Sequence, residues 1–404
     1  MRIVLEIMMN NKLWRLFIPI LVVALFSIGS CSISACASIG ATPSRNEMRR
    51  FQRSPNYKTT KFKNTMAVRE SPFFKTVRAY LRGAENTKPK EPVPTAKQTR
   101  QHLSVPPQNG LRITWMGHST TLIEMDETRL LIDPVWSDHV SPVSTLGPKR
   151  FHSPPLCLRD LPPIDAVLIS HDHYDHLDMK TAIHLGAKGT KFVVPLGVGA
   201  RLKSWSIPDS QIVELDWWQQ VSLGDVTVTA TPARHFSGRS LVMADRDKTL
   251  WVGFAIADSD HRVFYTGDTG MFPGFVEIGK RLGPFDAVLA EIGAYDTLWS
   301  DIHLGPEQAV QATKDAKGKL LIPVHWGTFD LALHSWTEPV ERVFVAAAKQ
   351  SVSLAIPMPG QSVDPAHPPG LAKWWPKLPW RTARDYPVVS SKLAGHINTD
   401  RKEK

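Results

Sequence analysis

Short apolar runs recur along the chain from residue 111 to residue 356, and most are bounded by Gly, Pro or polar clusters. Runs of about four to eight such residues are typical of strands buried in a sheet. They lie at residues 111–116, 129–132, 166–170, 192–195, 226–231, 250–257, 262–266, 287–290, 320–324 and 353–356. Predicted helical stretches separate several of these runs. One of them, residues 306–312, begins with a proline, which suits a first helical turn. Strands alternating with helices predict a layered α/β fold.

The chain has 404 residues, of which 42% are hydrophobic, and no internal repeat. This length and composition suit one large domain with a sizeable core rather than several small domains. We divide the chain into a signal segment over residues 1–35, a basic N-terminal extension over 36–105, a main domain over 106–362 and a C-terminal strap over 363–404.

The signal segment resembles a bacterial secretory signal. Two basic residues precede the charge-free apolar stretch 16–28, which is short for a membrane span. The sequence Ile-Ser-Ala-Cys that ends at Cys36 resembles a lipobox, and Cys31 is a weaker second candidate. We therefore predict a protein of the bacterial cell envelope, anchored in a membrane through one of these cysteines. An ordinary signal peptide with a periplasmic protein, or an uncleaved anchor, is the alternative. After cleavage only Cys157 would remain, so structural disulfides are not expected.

The formal net charge is +10, and much of the excess lies between residues 45 and 100. This part ends in a Pro-rich stretch at 88–94 and is interpreted as a basic tether. A membrane surface with anionic headgroups is one partner for such charge, and a solvated linker is an equal alternative. Nucleic acid is not expected, because no base-reading or base-stacking module accompanies the charge. Residues 373–381 mix Trp with Lys and Arg; a headgroup interface would suit them, but a strap packed on the core is preferred.

The sequence HDHYDH at residues 171–176 follows the apolar run 166–170 directly. Loops at strand ends are where α/β proteins usually place their chemistry. His171 and His173, two residues apart in an extended segment, can bind one metal ion, and the Asp-His pair that ends the motif can reach a second. Imidazole nitrogen and carboxylate oxygen suit Zn²⁺, Fe or Mn better than a soft metal.

Three later apolar runs also end in a residue that can bind metal. His235, Asp268 and His325 each follow such a run. A common site explains this placement better than chance does. The pattern predicts one metal centre assembled from four strand ends.

The HxHxDH motif, followed by His, Asp and His at successive strand ends, resembles the metallo-β-lactamase superfamily. Within it, the chain is similar to N-acyl-phosphatidylethanolamine-hydrolysing phospholipase D and its bacterial relatives. Four segments carry that closer resemblance: residues 114–120, 133–137, 147–151 and 322–329. The resemblance implies a four-layer αβ/βα sandwich, with two mixed sheets face to face, helices outside and the metal ions at one edge.

The resemblance also implies a set of ligands for two divalent metal ions. The ligands of the first ion would be His171, His173 and His235. Those of the second would be Asp175, His176 and His325, with Asp268 bridging. Zn²⁺ is the first choice, with Fe and Mn left open because the same donors serve all three. Two ions at short range lower the pKa of a shared water and stabilise charge on a phosphoryl oxygen, so no protein nucleophile is required.

The catalytic residues that the resemblance implies are Asp175, Asp268 and His303. The family places a histidine near the scissile phosphate at the position of His303, which precedes a helix start, where anions are favoured. A surface histidine is the alternative.

Five further residues lie close to these motifs in the sequence. We expect His118 to serve in structural packing, with a hydrogen bond to a metal ligand, or one that fixes its loop, as the alternative. Asp133 is expected to anchor the ligand loops through hydrogen bonds, and Tyr174 to form a wall of the site. Lys149 and Arg150 either contact phosphate or form a solvated pair.

The ligand pattern separates this chain from other branches of the superfamily. Antibiotic-hydrolysing relatives usually lack the last histidine of HxHxDH and carry cysteine at the bridging position, where His176 and Asp268 stand here. Flavodiiron relatives carry Glu where His173 stands. The resemblance therefore implies a phosphodiesterase of the phospholipase D type, acting on N-acyl-phosphatidylethanolamine, a related phospholipid or another phosphodiester. A lactonase for phosphorylated sugars and a non-catalytic envelope lipoprotein are the alternatives, and a homodimer is left open.

Overall fold

The computed structural model describes residues 37–69, 71–240, 242–391 and 393. The expected signal segment, with Cys31 and Cys36, lies outside the described residues. In the described part of the chain, no helix is long and apolar enough to cross a membrane. The helices described over their full length are α1 (Arg45–Phe51), α2 (Phe73–Arg82), α3 (Arg100–Ser104), α4 (Met179–Gly186), α5 (Gly199–Ser204), α6 (Gly274–Arg281), α7 (Pro306–Asp315) and α8 (Glu338–Gln350), with 3-10 turns at Leu158–Asp160 and Asp209–Gln211.

Within the described residues, the strands form two seven-stranded sheets and one two-stranded hairpin. The hairpin consists of β1 (Tyr57–Lys58) and β2 (Lys61–Phe62). The first sheet contains, in spatial order, β16 (Ser362–Val363), β3 (Leu111–Gly117), β4 (Thr120–Met125), β5 (Thr128–Ile132), β6 (Ala166–Leu168), β7 (Lys191–Pro195) and β8 (Ile212–Leu215). The second contains β15 (Ser353–Leu354), β14 (Leu320–Val324), β13 (Ala287–Glu291), β12 (Arg262–Tyr265), β11 (Gly253–Ala257), β10 (Val226–Thr231) and β9 (Gln220–Leu223).

Both sheets are mixed. In the first sheet β5, β6, β7 and β8 run parallel, and in the second β12, β13, β14 and β15 run parallel, while the other neighbours are antiparallel. Because parallel strands end at the same edge of a sheet, the segments that follow β5 and β6 leave the first sheet together. The segments after β12, β13 and β14 leave the second sheet together in the same way. These strand ends carry the motifs singled out above, and we call their side of the molecule the metal edge.

The two sheets pack face to face over one hydrophobic core. This core joins Ile113 and Leu168 of the first sheet to Phe254 and Leu289 of the second. Side chains alternate along a strand, so Val167 points to the other face, where it packs in a second core with α4 and α5. Helices α7 and α8 cover the outer face of the second sheet. The predicted αβ/βα sandwich is confirmed.

The predicted elements and the observed ones correspond closely. Each of the ten apolar runs contains a strand, and the predicted helix at 306–312 is the first part of α7. Pro306 occupies the start of α7, directly after the cap residue Gly305. The strands β4, β8, β9 and β16, with the β1–β2 hairpin, are additions that the apolar pattern did not predict.

The first part of the N-terminal extension packs on the domain. Phe51 and Phe62 are fully buried, and with Tyr57 they form an aromatic cluster with ring centroids 5.0 to 5.7 Å apart. Glu47 of α1 accepts a hydrogen bond from Lys203 of α5. A solvated linker, which the composition left open, does not describe this part, because three aromatic side chains gain from burial against the core.

The C-terminal strap also packs on the core, as preferred from its sequence. Trp374 stacks on Trp326 with ring centroids 5.2 Å apart. Trp375 is buried and donates its indole N–H to Glu341 at 2.8 Å. These indoles therefore face the protein and not a membrane.

Candidate metal centre

The HxHxDH motif forms a tight turn directly after β6. The backbone N–H groups of His176 and Leu177 both donate to the carbonyl of His173, at 3.2 and 2.8 Å. The turn brings the end of the motif back beside its start, so that the rings of His171 and His176 lie 4.3 Å apart. Asp178 then caps α4 by accepting from the Lys180 N–H, which ends the loop.

Three imidazole nitrogens converge at one side of the site. His173 Nδ1 lies 2.8 Å from His171 Nε2 and 3.3 Å from His235 Nε2. His235 comes from the loop after β10, so this group joins residues of both sheets. We call these three residues the first set.

A second group lies beside it and also joins both sheets. Asp175 Oδ2 lies 3.4 Å from His176 Nε2 and 3.3 Å from His325 Nε2. His325 follows β14 of the second sheet. Asp175, His176 and His325 are called the second set.

Asp268 lies between the two sets. Its Oδ2 atom is 3.2 Å from His176 Nε2 and from His325 Nε2. The same atom is 3.9 Å from His171 Nε2 and from His235 Nε2. One carboxylate therefore reaches ligand atoms of both sets, and all seven residues expected from the sequence are brought together.

The spacing of these atoms fits bound metal ions. Ligand atoms at about 2.0–2.1 Å from a tetrahedral ion stand about 3.3 Å from one another. The ligand atoms of the first set are 2.8 and 3.3 Å apart, and those of the second set 3.3 and 3.4 Å. Asp268 Oδ1, His176 Nε2 and His325 Nε2 are buried and have no hydrogen-bond partner in the described part of the protein. Buried polar atoms are normally paired, so these atoms are suited to a ligand.

The two sets differ in the pKa values of their histidines. Burial holds the pKa of each histidine in the first set below its ordinary value, which favours the neutral form that binds metal. Burial also lowers the pKa of His325, but the charge of Asp268 and the nearby carboxylate of Asp175 raise it to about 10. The carboxylates of Asp175 and Asp268 thus draw positive charge to the second set, and a bound cation would supply that charge.

Hydrogen bonds at Nδ1, on the side away from the Nε2 ligand atom, orient two of the histidines. Asp133 Oδ2 accepts from His176 Nδ1 at 2.7 Å, and its carboxylate also accepts the backbone N–H and the hydroxyl of Ser170. His235 Nδ1 donates to the Ile302 carbonyl at 2.8 Å. Both bonds leave the Nε2 atom of the histidine for a ligand. The expected anchoring role of Asp133 is present.

His118 does more than pack. Its ring lies 4.1 Å from the ring of His325, but its Nε2 atom is also hydrogen-bonded to Asp175 Oδ2 at 3.0 Å. The structure therefore shows both the preferred packing and the alternative, a hydrogen bond to a residue of the expected ligand set. His118 is thus a second residue that orients a member of the second set.

His303 lies at the site and has a partner that the sequence did not reveal. Its Nδ1 atom is 2.7 Å from Glu291 Oε2 and 3.8 Å from Asp268 Oδ2. Glu291 ends β13 and is fully buried, and burial raises its pKa although the charge of His303 opposes this. A carboxylate at a strand end of the metal edge was the available signal, the same one that identified Asp268.

Arg150 and Lys149, for which a contact with phosphate was one expectation, differ in their exposure to solvent. Arg150 is buried and donates to the Val135 carbonyl at 2.5 Å, so it neither reaches a substrate nor forms a solvated pair. Its guanidinium stacks on Phe329, which makes the buried position favourable. Lys149 is exposed. Tyr174 donates its hydroxyl to the Arg239 carbonyl and packs against the cluster of Val135, Val140 and Phe329, as a wall residue would.

A buried charge network below the motif was not predicted. Asp172 accepts from Arg201 at 3.1 and 3.2 Å and from the Gly238 N–H at 2.8 Å. Arg239 donates to the carbonyls of Asp172 and Leu177 at 2.7 and 2.9 Å. These bonds hold both ends of the metal-binding turn. The sequence shows the charges but not their burial.

Several known proteins are similar in sequence to the central region of this chain. A family model for the beta-lactamase superfamily domain matches residues 128–326. An uncharacterised protein of Mycobacterium tuberculosis is 52% identical over 66% of this chain and 72% of its own length. N-acyl-phosphatidylethanolamine-hydrolyzing phospholipase D 1 of Caenorhabditis elegans is 37% identical over 55% of this chain and 66% of its own length. A UPF0173 metal-dependent hydrolase of Pyrobaculum neutrophilum is 31% identical over 55% of this chain and 86% of its own length.

A solved structure has the same fold. The isothiocyanate hydrolase from Delia radicum gut bacteria superimposes with a TM-score of 0.50 at 18% identity, covering 63% of this chain and 98% of its own. Fold, donor set and relatives together define a metal-dependent hydrolase. The chain belongs to the metallo-β-lactamase superfamily.

Proposed function

We propose that this protein is a dinuclear phosphodiesterase of the phospholipase D type that acts on N-acyl-phosphatidylethanolamine or a related phospholipid. The observation that carries the proposal is the position of Asp268 Oδ2, which lies 3.2 to 3.9 Å from histidine nitrogens of both sets. Two adjacent cation sites that share a carboxylate suit in-line attack on a phosphodiester. The similarity to the worm phospholipase D supports a lipid as the substrate class.

The protein's residues have distinct parts in this reaction. The first set would hold one ion, the second set the other, and Asp268 would bridge them; Zn²⁺ is the first choice, ahead of Fe and Mn. When bound, the ions supply a water of lowered pKa and positive charge for a phosphoryl oxygen. Asp175 and Asp268 would carry negative charge beside the cations. Without metal, burial raises the pKa of both carboxyls but the charge of His176 outweighs it and holds both well below the ordinary value, and a bound cation would take over that part. His303 would contact the phosphoryl group from the side of Asp268.

The exposed apolar side chains support a membrane surface as partner. Phe74 and Leu81 of α2 are 86% and 83% exposed, and Val242, in the loop after β10, is 82% exposed. Helix α2 lies against the segments that follow β13 and β14, since Tyr80 stacks on Trp299 and donates to the Leu331 carbonyl. These apolar groups therefore belong to segments at the metal edge.

The charge of α2 matches the same partner. It has no buried residue, and Lys75, Arg78 and Arg82 line a cavity of about 760 Å³ beside it. An amphipathic helix with aromatic and basic residues binds at the boundary between anionic headgroups and acyl chains. A lipidated Cys36 or Cys31 would hold the protein at the same bilayer, in the bacterial envelope.

Turnover of a lipid substrate tests the proposed function. Metal-loaded protein offered vesicles of N-acyl-phosphatidylethanolamine is expected to release phosphatidic acid, and the Asp268→Asn variant is expected to release none above background. Opening of a phosphorylated sugar lactone without phosphatidic acid would favour a lactonase. Inactivity on a broad panel of esters would favour a binding lipoprotein of the envelope.

Vesicle binding tests the membrane surface. The chain with Cys31→Ser and Cys36→Ser, which removes both proposed lipidation sites, is expected to sediment with vesicles that contain phosphatidylglycerol. Phe74→Glu should weaken that binding about tenfold or more, since it puts a charge in place of exposed apolar area that the bilayer would bury. Val276→Glu is the matched control, because Val276 is exposed on α6. Equal loss in both variants would contradict the assignment, and concentration-dependent dimerisation through Phe74 would identify a second copy as the partner instead.

A further inference from the structure

Glu291 is a buried carboxylate at the metal edge that the proposed ligand set does not use. It is the last residue of β13, between the strands that end near Asp268 and His325. Its exposed fraction is zero. A carboxylate in such a place is costly unless donors surround it, so its partners indicate what it does.

Its two oxygens are used differently. Oε1 accepts the backbone N–H of Thr269, which follows Asp268, and the backbone N–H of Leu304, which follows His303. Oε2 accepts from His303 Nδ1 at 2.7 Å. The protein's own donors thus occupy both oxygens, which suits an orienting group better than a metal ligand.

The bond to Glu291 fixes the state of the His303 ring. A carboxylate accepts only, so His303 Nδ1 carries the hydrogen and Nε2 is left for a ligand. Among the described residues, Nε2 of His303 has no hydrogen-bond partner. The ring lies 5.1 Å from the ring of His235 and 5.4 Å from that of His325, so it lies beside both sets.

We propose that Glu291 is a positioning residue that holds His303 with Nδ1–H towards the protein and the unprotonated Nε2 towards the reacting centre, where it can accept a hydrogen bond from the attacking water. This rests on the proposed function, in which His303 lies beside the phosphoryl group of the substrate. Glu291 itself is buried behind His303 and touches no substrate. Its backbone bonds also fix the segment after Asp268 to the segment that carries His303, so the ring and the bridging carboxylate keep one relative position.

The variant Glu291→Gln separates this role from a structural one. The amide oxygen can replace Oε1 and keep both backbone bonds, while the amide NH₂ replaces Oε2 and meets His303 Nδ1. The ring can then pair only as an acceptor at Nδ1, which moves the hydrogen to Nε2. Reversal of a histidine tautomer in this way lowers turnover strongly while the local geometry stays intact.

A double-mutant cycle measures whether Glu291 acts through His303. With bis(p-nitrophenyl) phosphate as substrate, Glu291→Gln and His303→Ala are each expected to lower kcat about 100-fold or more, with KM within about twofold. The double variant should lose no more than about twofold beyond His303→Ala. Zinc content by elemental analysis should equal that of the unchanged protein. Losses that multiply in the double variant, or loss of zinc in Glu291→Gln, would overturn the proposal.

A second readout does not need turnover. In zinc-loaded protein labelled with ¹⁵N-histidine, the His303 signals are those absent from His303→Ala. We expect the Nδ1–H tautomer in the unchanged protein and the Nε2–H tautomer in Glu291→Gln. An Nε2–H tautomer in the unchanged protein would refute the role of Glu291. The expected tautomer in a protein that cleaves no phosphodiester would instead count against the proposed function alone.

Discussion

At the residue scale, backbone conformation and hydrogen bonds work together around the site. His118, Asp133 and His325 each have positive φ, at 53°, 38° and 62°. Such angles are uncommon outside glycine and occur where the surrounding structure enforces them. The His325 N–H donates to the His118 carbonyl at 2.9 Å, which joins the turn after β3 to the turn after β14. This hydrogen bond helps to keep His118 and His325 in their uncommon backbone conformations beside the metal-binding side chains.

The variant Asp133→Asn tests the hydrogen bonds that orient the metal-binding histidines. In the unchanged protein His176 Nδ1 donates to Asp133 Oδ2. In the variant the amide NH₂ would face this donor and could not accept from it, so His176 of the second set would lose its fixed orientation. We expect binding of one zinc ion to weaken about 10- to 100-fold, measured by competition with a chromophoric chelator. Asp286→Asn, at the opposite end of β13, is the control and should bind zinc normally. Equal affinities in all three proteins would contradict the role of Asp133.

Sequence patterns located the polar residues of the site better than they assigned their partners. The seven residues of the HxHxDH motif and the later strand ends are found together, because strand ends converge at one edge. Arg150 was misjudged, since the sequence does not reveal that a long side chain turns inward to a carbonyl and a ring. Glu291 was overlooked because a single acidic residue after an apolar run also fits an exposed strand end.

At the element scale, strand prediction failed where a strand carries polar residues, is partly exposed or is very short. Strand β4 is fully buried, but Thr120, Thr121 and Glu124 lower its apolar content. Strands β8 and β9 are largely half-exposed, and β16 has two residues. Their positions depend on pairing with neighbours, which a local apolar pattern does not contain.

Helix α1 offers a test of whether the N-terminal extension is part of the folded domain. Burial raises the pKa of Glu47, but the hydrogen bond from Lys203 and the cap of α1 bring it to about 2, below the ordinary 4.5. A carboxyl with a lowered pKa stabilises the fold above pH 4.5, and that contribution is lost as the pH falls towards 2.

We therefore expect Glu47→Gln to lower the free energy of unfolding at pH 7 by less than about 1 kcal/mol, since the pair is partly solvated. The difference from the unchanged protein should shrink as the pH falls below 4.5. Urea unfolding at several pH values measures this, with Glu277→Gln, an exposed residue of α6, as control. A difference independent of pH would argue against the Glu47–Lys203 contact.

At the scale of the whole molecule, each proposed set of ligands draws on both sheets. His171 and His173 follow β6 of the first sheet, whereas His235 follows β10 of the second. Asp175 and His176 likewise belong to the first sheet, and His325 to the second. Ions bound to these sets would connect the two halves of the sandwich at its metal edge. Metal binding should therefore stabilise the packing of the sheets and not only the loops.

Removal of metal tests this connection. At a free zinc concentration about 1,000 times the dissociation constant, one bound ion should add about 4 kcal/mol to the free energy of unfolding. Urea unfolding with zinc and with a chelator is expected to differ by at least that amount, and Asp268→Asn should show a smaller difference. A chelator that leaves the unfolding curve unchanged would show that the ions do not join the sheets.

Elemental analysis of the purified protein, beside its Asp268→Ala variant, tests the central claim most directly. We expect about two metal ions per chain and cleavage of bis(p-nitrophenyl) phosphate in the unchanged protein. Asp268→Ala should lose metal and turnover together, while Asp260→Ala, at an exposed turn, should keep both. A variant that retains full activity without Asp268, or a protein that binds no metal, would contradict a centre built around this carboxylate.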